Sequence, residues 1–205
     1  MSKYRTIVYP ENYPEHPILG SRERNQPCDR KILDKIEAIF DDALATHTKV
    51  LVFRYDVRTS HESANKAEKE LFSKGQADVV KYLTRKGLDP QYIAVRESSK
   101  DDGFHYHVVM ALNASKTQNP YGHLEKAEEI FERKSGLQPT GKHGVVDFCD
   151  RDRNGNKVSN SYIVHRDNKE EYDEAFKRAS YLAKVATKPN DGEREMFSSE
   201  RKRNP

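Results

Sequence analysis

Gly103–Asn113 reads GFHYHVVMALN. Its apolar run, Val108–Leu112, follows two histidines that flank one aromatic residue, and this composition predicts a strand. Side chains alternate along a strand, so His105 and His107 share one face while Tyr106 points to the other. Two imidazoles on one face of a rigid strand can share a divalent metal. They can equally be passengers on a half-buried strand. The segments on either side decide between these readings.

Immediately upstream, Tyr92–Ser98 (YIAVRES) reads as a second strand, and Ser99–Gly103 (SKDDG) as a polar turn suited to a hairpin. The two strands should therefore run antiparallel, bringing Glu97 close to the histidines. Strict alternation sets Glu97 on the face of Ile93 and Val95. Either helices cover that face except at its end, or a bulge turns Glu97. Further upstream, Val50–Arg58 (VLVFRYDVR) is a third strand. Leu51, Phe53, Tyr55 and Val57 face one side; Val52, Arg54 and Asp56 face the other. Arg54 and Asp56 either pair at a solvated edge or line a site.

Helical spacing surrounds these strands. Asp29–Thr46 carries Ile32, Ile36, Ile39, Phe40 and Ala43 behind a candidate N-cap, Asp29. Asn65–Lys86 is helical with a possible break at Gly75. Leu124–Ser135 predicts a short charged helix, and Lys169–Thr187 a last strong one stopped by Pro189. Val145–Cys149 and Ser161–Val164 predict short strands that pair across the turn Asp150–Asn160. Residues 1–27 hold Pro10, Pro14, Pro17 and Pro27 and predict an extended arm, on which Tyr4, Tyr9 and Tyr13 can lie against the domain. Residues 28–189 form the folded domain, and 190–205 a tail anchored at most by Met196 and Phe197.

The 205 residues suit one elaborated domain. Hydrophobic residues make up 35% and charged residues 34%, which leaves enough for one modest core. A net charge of +3 excludes a uniformly polybasic binder, so any nucleic-acid surface must come from local segregation of the 36 Lys and Arg. Two distant cysteines, Cys28 and Cys149, read as free thiols of a reducing cytosol. No apolar run has transmembrane length and no signal-peptide core is present, so a cytoplasmic location without membrane contact is expected.

Glu97, His105 and His107 supply one carboxylate and two imidazoles, a mixed set that suits Mn²⁺ or Mg²⁺ better than a structural zinc site. Three protein ligands leave positions open for substrate oxygens. Near the C-terminus, Ser180–Lys188 reads SYLAKVATK. On a helix, Lys177, Tyr181, Lys184 and Lys188 fall on one stripe. This stripe is either a solvated face or a nucleophile with its cations. A phenol of pKa near ~10 attacks poorly at neutral pH. Ammonium groups beside it favour the phenolate and stabilise charge developing on phosphate. Arg54, Arg96, Lys177, Lys184 and Lys188 are the candidate phosphate contacts. Gly136–Lys142 (GLQPTGK) imitates a P-loop, but His143 stands where Ser or Thr should hold Mg²⁺, and the flanking pattern is wrong. The remaining histidines lack ligand spacing; only His143 and His165 could approach the site in three dimensions.

The ordered set VLVFRYDVR, YIAVRES, GFHYHVVMALN and RASYLAKVATK, followed by FSS, resembles the YagK/YfjJ C-terminal domain family of phage, prophage and inovirus-type replication proteins. That family is similar to the HUH endonucleases. The resemblance implies an α+β fold, a central antiparallel β-sheet (an RRM- or ferredoxin-like palm) flanked by α-helices. It implies His105 and His107 as paired metal ligands with Glu97 as the acidic third, a divalent Mn²⁺ or Mg²⁺, Tyr181 as the single nucleophile, and Lys184 one turn on. Tyr172 is too far along the helix for a two-tyrosine mechanism. The implied activity is metal-dependent nicking and joining of single-stranded or hairpin DNA at an origin or element end, through a covalent phosphotyrosine, as a rolling-circle replication initiator. No helicase motif is legible, so unwinding is expected from a host or phage helicase. The alternatives are a non-enzymatic nucleic-acid-binding regulator, an HUH-type transposase or recombinase, and a metal-dependent hydrolase without a covalent step.

Overall fold

The computed structural model describes residues 5–58, 65–99, 103–135, 144–152, 154–186, 188–189 and 195–199. The P-loop-like Gly136–Lys142, His143, His61 and the last six residues lie outside them. The chain is α+β. Its main sheet takes β3 (Lys49–Arg58), β4 (Gln91–Ser99), β5 (Gly103–Asn113), β6 (Val146–Asp147), β7 (Ser161–His165) and β8 (Met196–Ser198). A small ladder joins β1 (Ile7–Val8) to β2 (Cys28–Asp29). The helices are α1 (Arg30–Thr46), α2 (Asn65–Arg85), α3 (Tyr121–Ser135) and α4 (Lys169–Ala179).

Strand order is β6-β3-β5-β4-β8, with β7 beside β6 on the same edge of β3, and every pairing is antiparallel. The expected pairing of Val145–Cys149 with Ser161–Val164 does not form. Both segments pair with β3 instead, β6 at Asp56–Val57 and β7 at Lys49–Phe53. The long β3 offers more free backbone than either short partner can satisfy, so it recruits both.

Alternation divides the core in two. Leu51, Phe53, Tyr55, Val57, Tyr106, Val108, Met110 and Leu112 pack beneath α2 and α3. Val50, Val52, Ile93, Val95, Val109 and Ala111 pack beneath α1 and α4. The α1 stripe (Ile32, Ile36, Ile39, Phe40, Ala43) is buried as expected, and the Asp29 side chain accepts a hydrogen bond from the Lys31 amide at 2.9 Å. Gly75 breaks nothing. Phe131 of α3 packs against α2 where a side chain is missing.

The N-terminal segment is not a loose lead-in. Val8, Tyr13 and Ile18 are buried in the α1/α4 core, and Tyr13 stacks on Phe176 with ring centroids 6.1 Å apart. Its prolines shape the path without preventing burial. At the other end, Phe197 of β8 lies edge-on to Phe72 and Tyr106. Both cysteines are free and buried. Among the described residues, no helix is long and apolar enough to cross a membrane.

Candidate metal centre and nucleophile

The face covered by α1 and α4 is apolar only over half its length. Along β3 it runs Val50, Val52, Arg54, Asp56; along β5, Ala111, Val109, His107, His105; along β4, Ile93, Val95, Glu97. Helices cover the apolar half of each strand, and the polar residues gather at the other end. Glu97 stands directly opposite His105, and Val95 opposite His107, in an unbroken register. No bulge is needed to bring Glu97 to the histidines.

Three donors converge there. Glu97 Oε2 lies 3.1 Å from His107 Nε2 and 3.8 Å from His105 Nε2. One ligand atom from each residue fits within a span of 4.8 Å. His107 is buried, and its Nε2 has no hydrogen-bond partner among the described residues. A buried lone-pair nitrogen without a donor is costly unless something binds it. The mixed nitrogen and oxygen set suits a divalent ion such as Mn²⁺. These residues therefore fit a metal.

The neighbouring strand orients His107. Asp56 is its cross-strand partner, with Oδ1 2.7 Å from Nδ1. Arg54 Nη2 also lies 3.0 Å from Nδ1. Arginine can only donate, and it is already satisfied by Asp56 at 2.9 and 3.0 Å. The shorter contact assigns the proton to Nδ1, donating to Asp56, which leaves the Nε2 lone pair facing Glu97. Burial opposes ionisation of Asp56, but the Arg54 guanidinium and His107 outweigh it and hold the carboxyl well below the usual range. Burial likewise opposes ionisation of Glu97. The close approach of His107 and the charge and hydrogen bond of Lys188 prevail, so its carboxyl is also held low.

Tyr181 arrives from the far end of the sequence. Its ring stands perpendicular to the His107 imidazole, with centroids 5.2 Å apart. The Arg54 guanidinium lies 3.9 Å from the centre of the Tyr181 ring, and Lys184 Nζ lies 4.5 Å from it. Arg54 thus joins the two halves of the site, gripping Asp56 behind His107 while supporting Tyr181. It is buried, so it supports the site from within; a solvent-facing phosphate contact is not its position.

Four further expectations change. The expected helix Lys169–Thr187 ends at Ala179, and Tyr181 sits in a 3₁₀ turn, Ser180–Ala183. The buried Ser180 hydroxyl donates to the Lys177 carbonyl at 2.8 Å and accepts from the Leu19 amide at 2.7 Å, which draws the chain to the N-terminal segment. The chain then extends: Lys184 bridges Cys28, and the Val185 amide donates to the Pro27 carbonyl. Lys177, Tyr181, Lys184 and Lys188 are therefore not one helical stripe. Lys177 remains exposed on α4. Lys188 is buried in an ion pair with Glu97 Oε1, so a phosphate is not its partner. Arg96 points to the opposite face, fully buried, with Nε 2.6 Å from Glu68 Oε1 and Phe104 packed over its guanidinium. It cannot meet DNA there.

Tyr106, between the two histidines, anchors β5 from behind. Its hydroxyl donates to Glu68 Oε2 at 2.7 Å, and Phe72 stacks flat against it at 3.7 Å. His165 pairs with Glu171 at the opposite end of the sheet and does not approach the site. Tyr172 donates to Asp41 and packs beside Phe40 and Phe176, away from Glu97 and the two histidines. Sequence reasoning missed the Lys188–Glu97 pair and the clamp of Asp56 on His107. The only signal for the second was the shared parity of Arg54 and Asp56 on β3.

The family profile of the YagK/YfjJ C-terminal domain matches residues 19–199. The chain belongs to this family. The match spans the arm from Leu19, all three site strands, the Tyr181 turn and β8; of the elements described above, only β1 precedes it. No curated protein and no solved structure matches the chain.

Proposed function

We propose that this member of the family is a single-tyrosine nickase and ligase of the HUH type, acting on single-stranded or hairpin DNA at an origin or element end, as a rolling-circle replication initiator. The observation that carries the reading is the perpendicular contact of Tyr181 with His107 at 5.2 Å. It unites a potential nucleophile with a potential metal site across 74 residues of sequence, counted as 181 − 107.

Glu97, His105 and His107 would hold a divalent ion, Mn²⁺ or Mg²⁺. When bound, the ion supplies polarisation of the scissile phosphate. The Tyr181 oxygen attacks phosphorus, forming an O–P bond as the bond to the 3′ oxygen breaks. The phenolic proton leaves to solvent, and the departing 3′ oxygen takes one up. The protein stays on the 5′ phosphate, so the reverse attack by a 3′ hydroxyl rejoins the strand. Arg54 holds the Tyr181 ring and, through Asp56, the orientation of His107. Lys184 offsets charge on the phosphate. Unwinding falls to a host or phage helicase in the cytoplasm.

The test uses single-stranded oligonucleotides tiling the DNA around the protein's own gene, incubated with Mn²⁺ and resolved on a denaturing gel. A covalent adduct is expected with the native protein and is lost in Tyr181→Phe. His105→Ala and His107→Ala should fold yet form none. An adduct undiminished in Tyr181→Phe, or none across the tiled set, would refute the proposal.

A further inference from the structure

Lys188 enters the site from behind. Its ammonium is fully buried and bonds Glu97 Oε1, while the other oxygen, Oε2, faces both imidazoles. One carboxylate is thus shared between a fixed internal cation and the place of an incoming one. The arrangement is locked from outside. Arg5 donates to the Pro189 carbonyl at 3.4 Å and to both Glu195 oxygens at 2.6 and 2.7 Å, closing the N- and C-terminal segments beside Lys188.

The consequence is a charge balance. The site holds two carboxylates, Asp56 and Glu97, and each has its own buried cation, Arg54 and Lys188. The four charges cancel. A divalent ion bound by Glu97 Oε2 and two neutral imidazoles would find its one anionic ligand already neutralised, with an ammonium on the far oxygen. Burial leaves little water to screen that repulsion. A phosphodiester beside the ion would supply the missing negative charge.

We infer that Lys188 is a built-in counter-cation that keeps the metal site weak in the free protein and makes metal binding depend on a bound phosphodiester. The inference rests on the metal-centred reading above. By linkage, the nucleic acid strengthens metal binding by the same factor as the metal strengthens nucleic-acid binding. Lys188 is a positioning residue in this account and touches no reacting atom.

The experiment titrates Mn²⁺ by calorimetry into Tyr181→Phe protein, which cannot turn over, and into the same protein carrying Lys188→Gln. Glutamine removes the charge and keeps an N–H donor, on a side chain one atom shorter. Each is measured with and without oligothymidylate. With Lys188 present, the oligonucleotide should tighten Mn²⁺ binding by about tenfold. Lys188→Gln alone should tighten it by about tenfold and remove most of the oligonucleotide's effect. Unchanged or weaker Mn²⁺ binding in Lys188→Gln would overturn the inference and leave Lys188 as an orienting group alone. Absence of Mn²⁺ binding in every sample would overturn the metal reading itself. If Lys188→Gln unfolds, saturating Mn²⁺ should refold it but not a Lys188→Gln/Glu97→Gln double variant; failure of that rescue overturns the inference as well.

Discussion

Replacing Gly75 with alanine should destabilise this protein, although alanine is the better helix former. An added Cβ would stand 2.3 Å from Phe131 Cε1, 2.6 Å from Cδ1 and 3.1 Å from Cζ. Carbon atoms in contact prefer about 3.5–4.0 Å, so the ring or the helix must retreat by roughly an ångström or more. Phe131 has nowhere to go. It is fully buried and stacks toward Phe72, which itself lies flat on Tyr106. Forcing a methyl group into such a core costs about 1–3 kcal/mol, and the shortness of these contacts argues for the upper end. The helix gains about 1 kcal/mol from losing a glycine. The net expectation is a loss of about 2 kcal/mol, which for a chain of this size lowers the melting temperature by about 4–8 °C. Urea denaturation gives the free energy and a thermal melt the shift. In a Phe131→Leu background the ring edge is gone, and the same alanine should be neutral or stabilising by up to about 1 kcal/mol. A Gly75→Ala protein as stable as the parent would refute the reasoning, because it would mean the helices do not meet at that point.

Two further substitutions probe the site's support and the N-terminal segment. Arg54→Lys keeps a positive charge but loses the fork on Asp56 and the flat surface beside Tyr181; it should cost about 2 kcal/mol in urea denaturation and slow adduct formation. Wild-type stability and rate would show that Arg54 is not the link between the two halves. Tyr13→Ala removes a ring that is 1% exposed and should cost about 3 kcal/mol by the same assay. A loss of under about 1 kcal/mol would return residues 5–27 to the role of a detachable arm.

The legible parts were those carried by local period and turn chemistry. The hairpin of β4 and β5, the shared face of His105 and His107, and the Asp29 cap of α1 all follow from residues close in sequence. Alternation also contained the answer for Arg96. Beside Glu97 it must face the other way, so both residues could not serve one surface. What remained hidden depended on contacts between distant segments. Asp56 becomes the partner of His107 only because β3 lies next to β5. The helical stripe through Tyr181 looked sound by spacing, but Ser180 bonds Leu19 and Val185 bonds Pro27, and those long-range bonds end the helix. The prolines of the N-terminal segment predict a loose arm, while the role of its buried Val8, Tyr13 and Ile18 depends on the α1/α4 groove, which no local pattern shows.

The small strand β8 has a consequence for how this chain can be shortened. Met196–Ser198 occupies the outer edge of β4 opposite Ile93–Val95, and Phe197 fills the gap beside Tyr106 and Phe72. A chain cut after Pro189 would keep Glu97, both histidines, Tyr181 and Lys188. It would also expose an unpaired hydrophobic edge on the strand that carries Glu97, a ready template for another copy's backbone. Such a truncation should be lost to self-association before any deficit in its chemistry could be measured. Premature stop codons between these two points would therefore leave the candidate site's residues intact and be severe in the soluble yield.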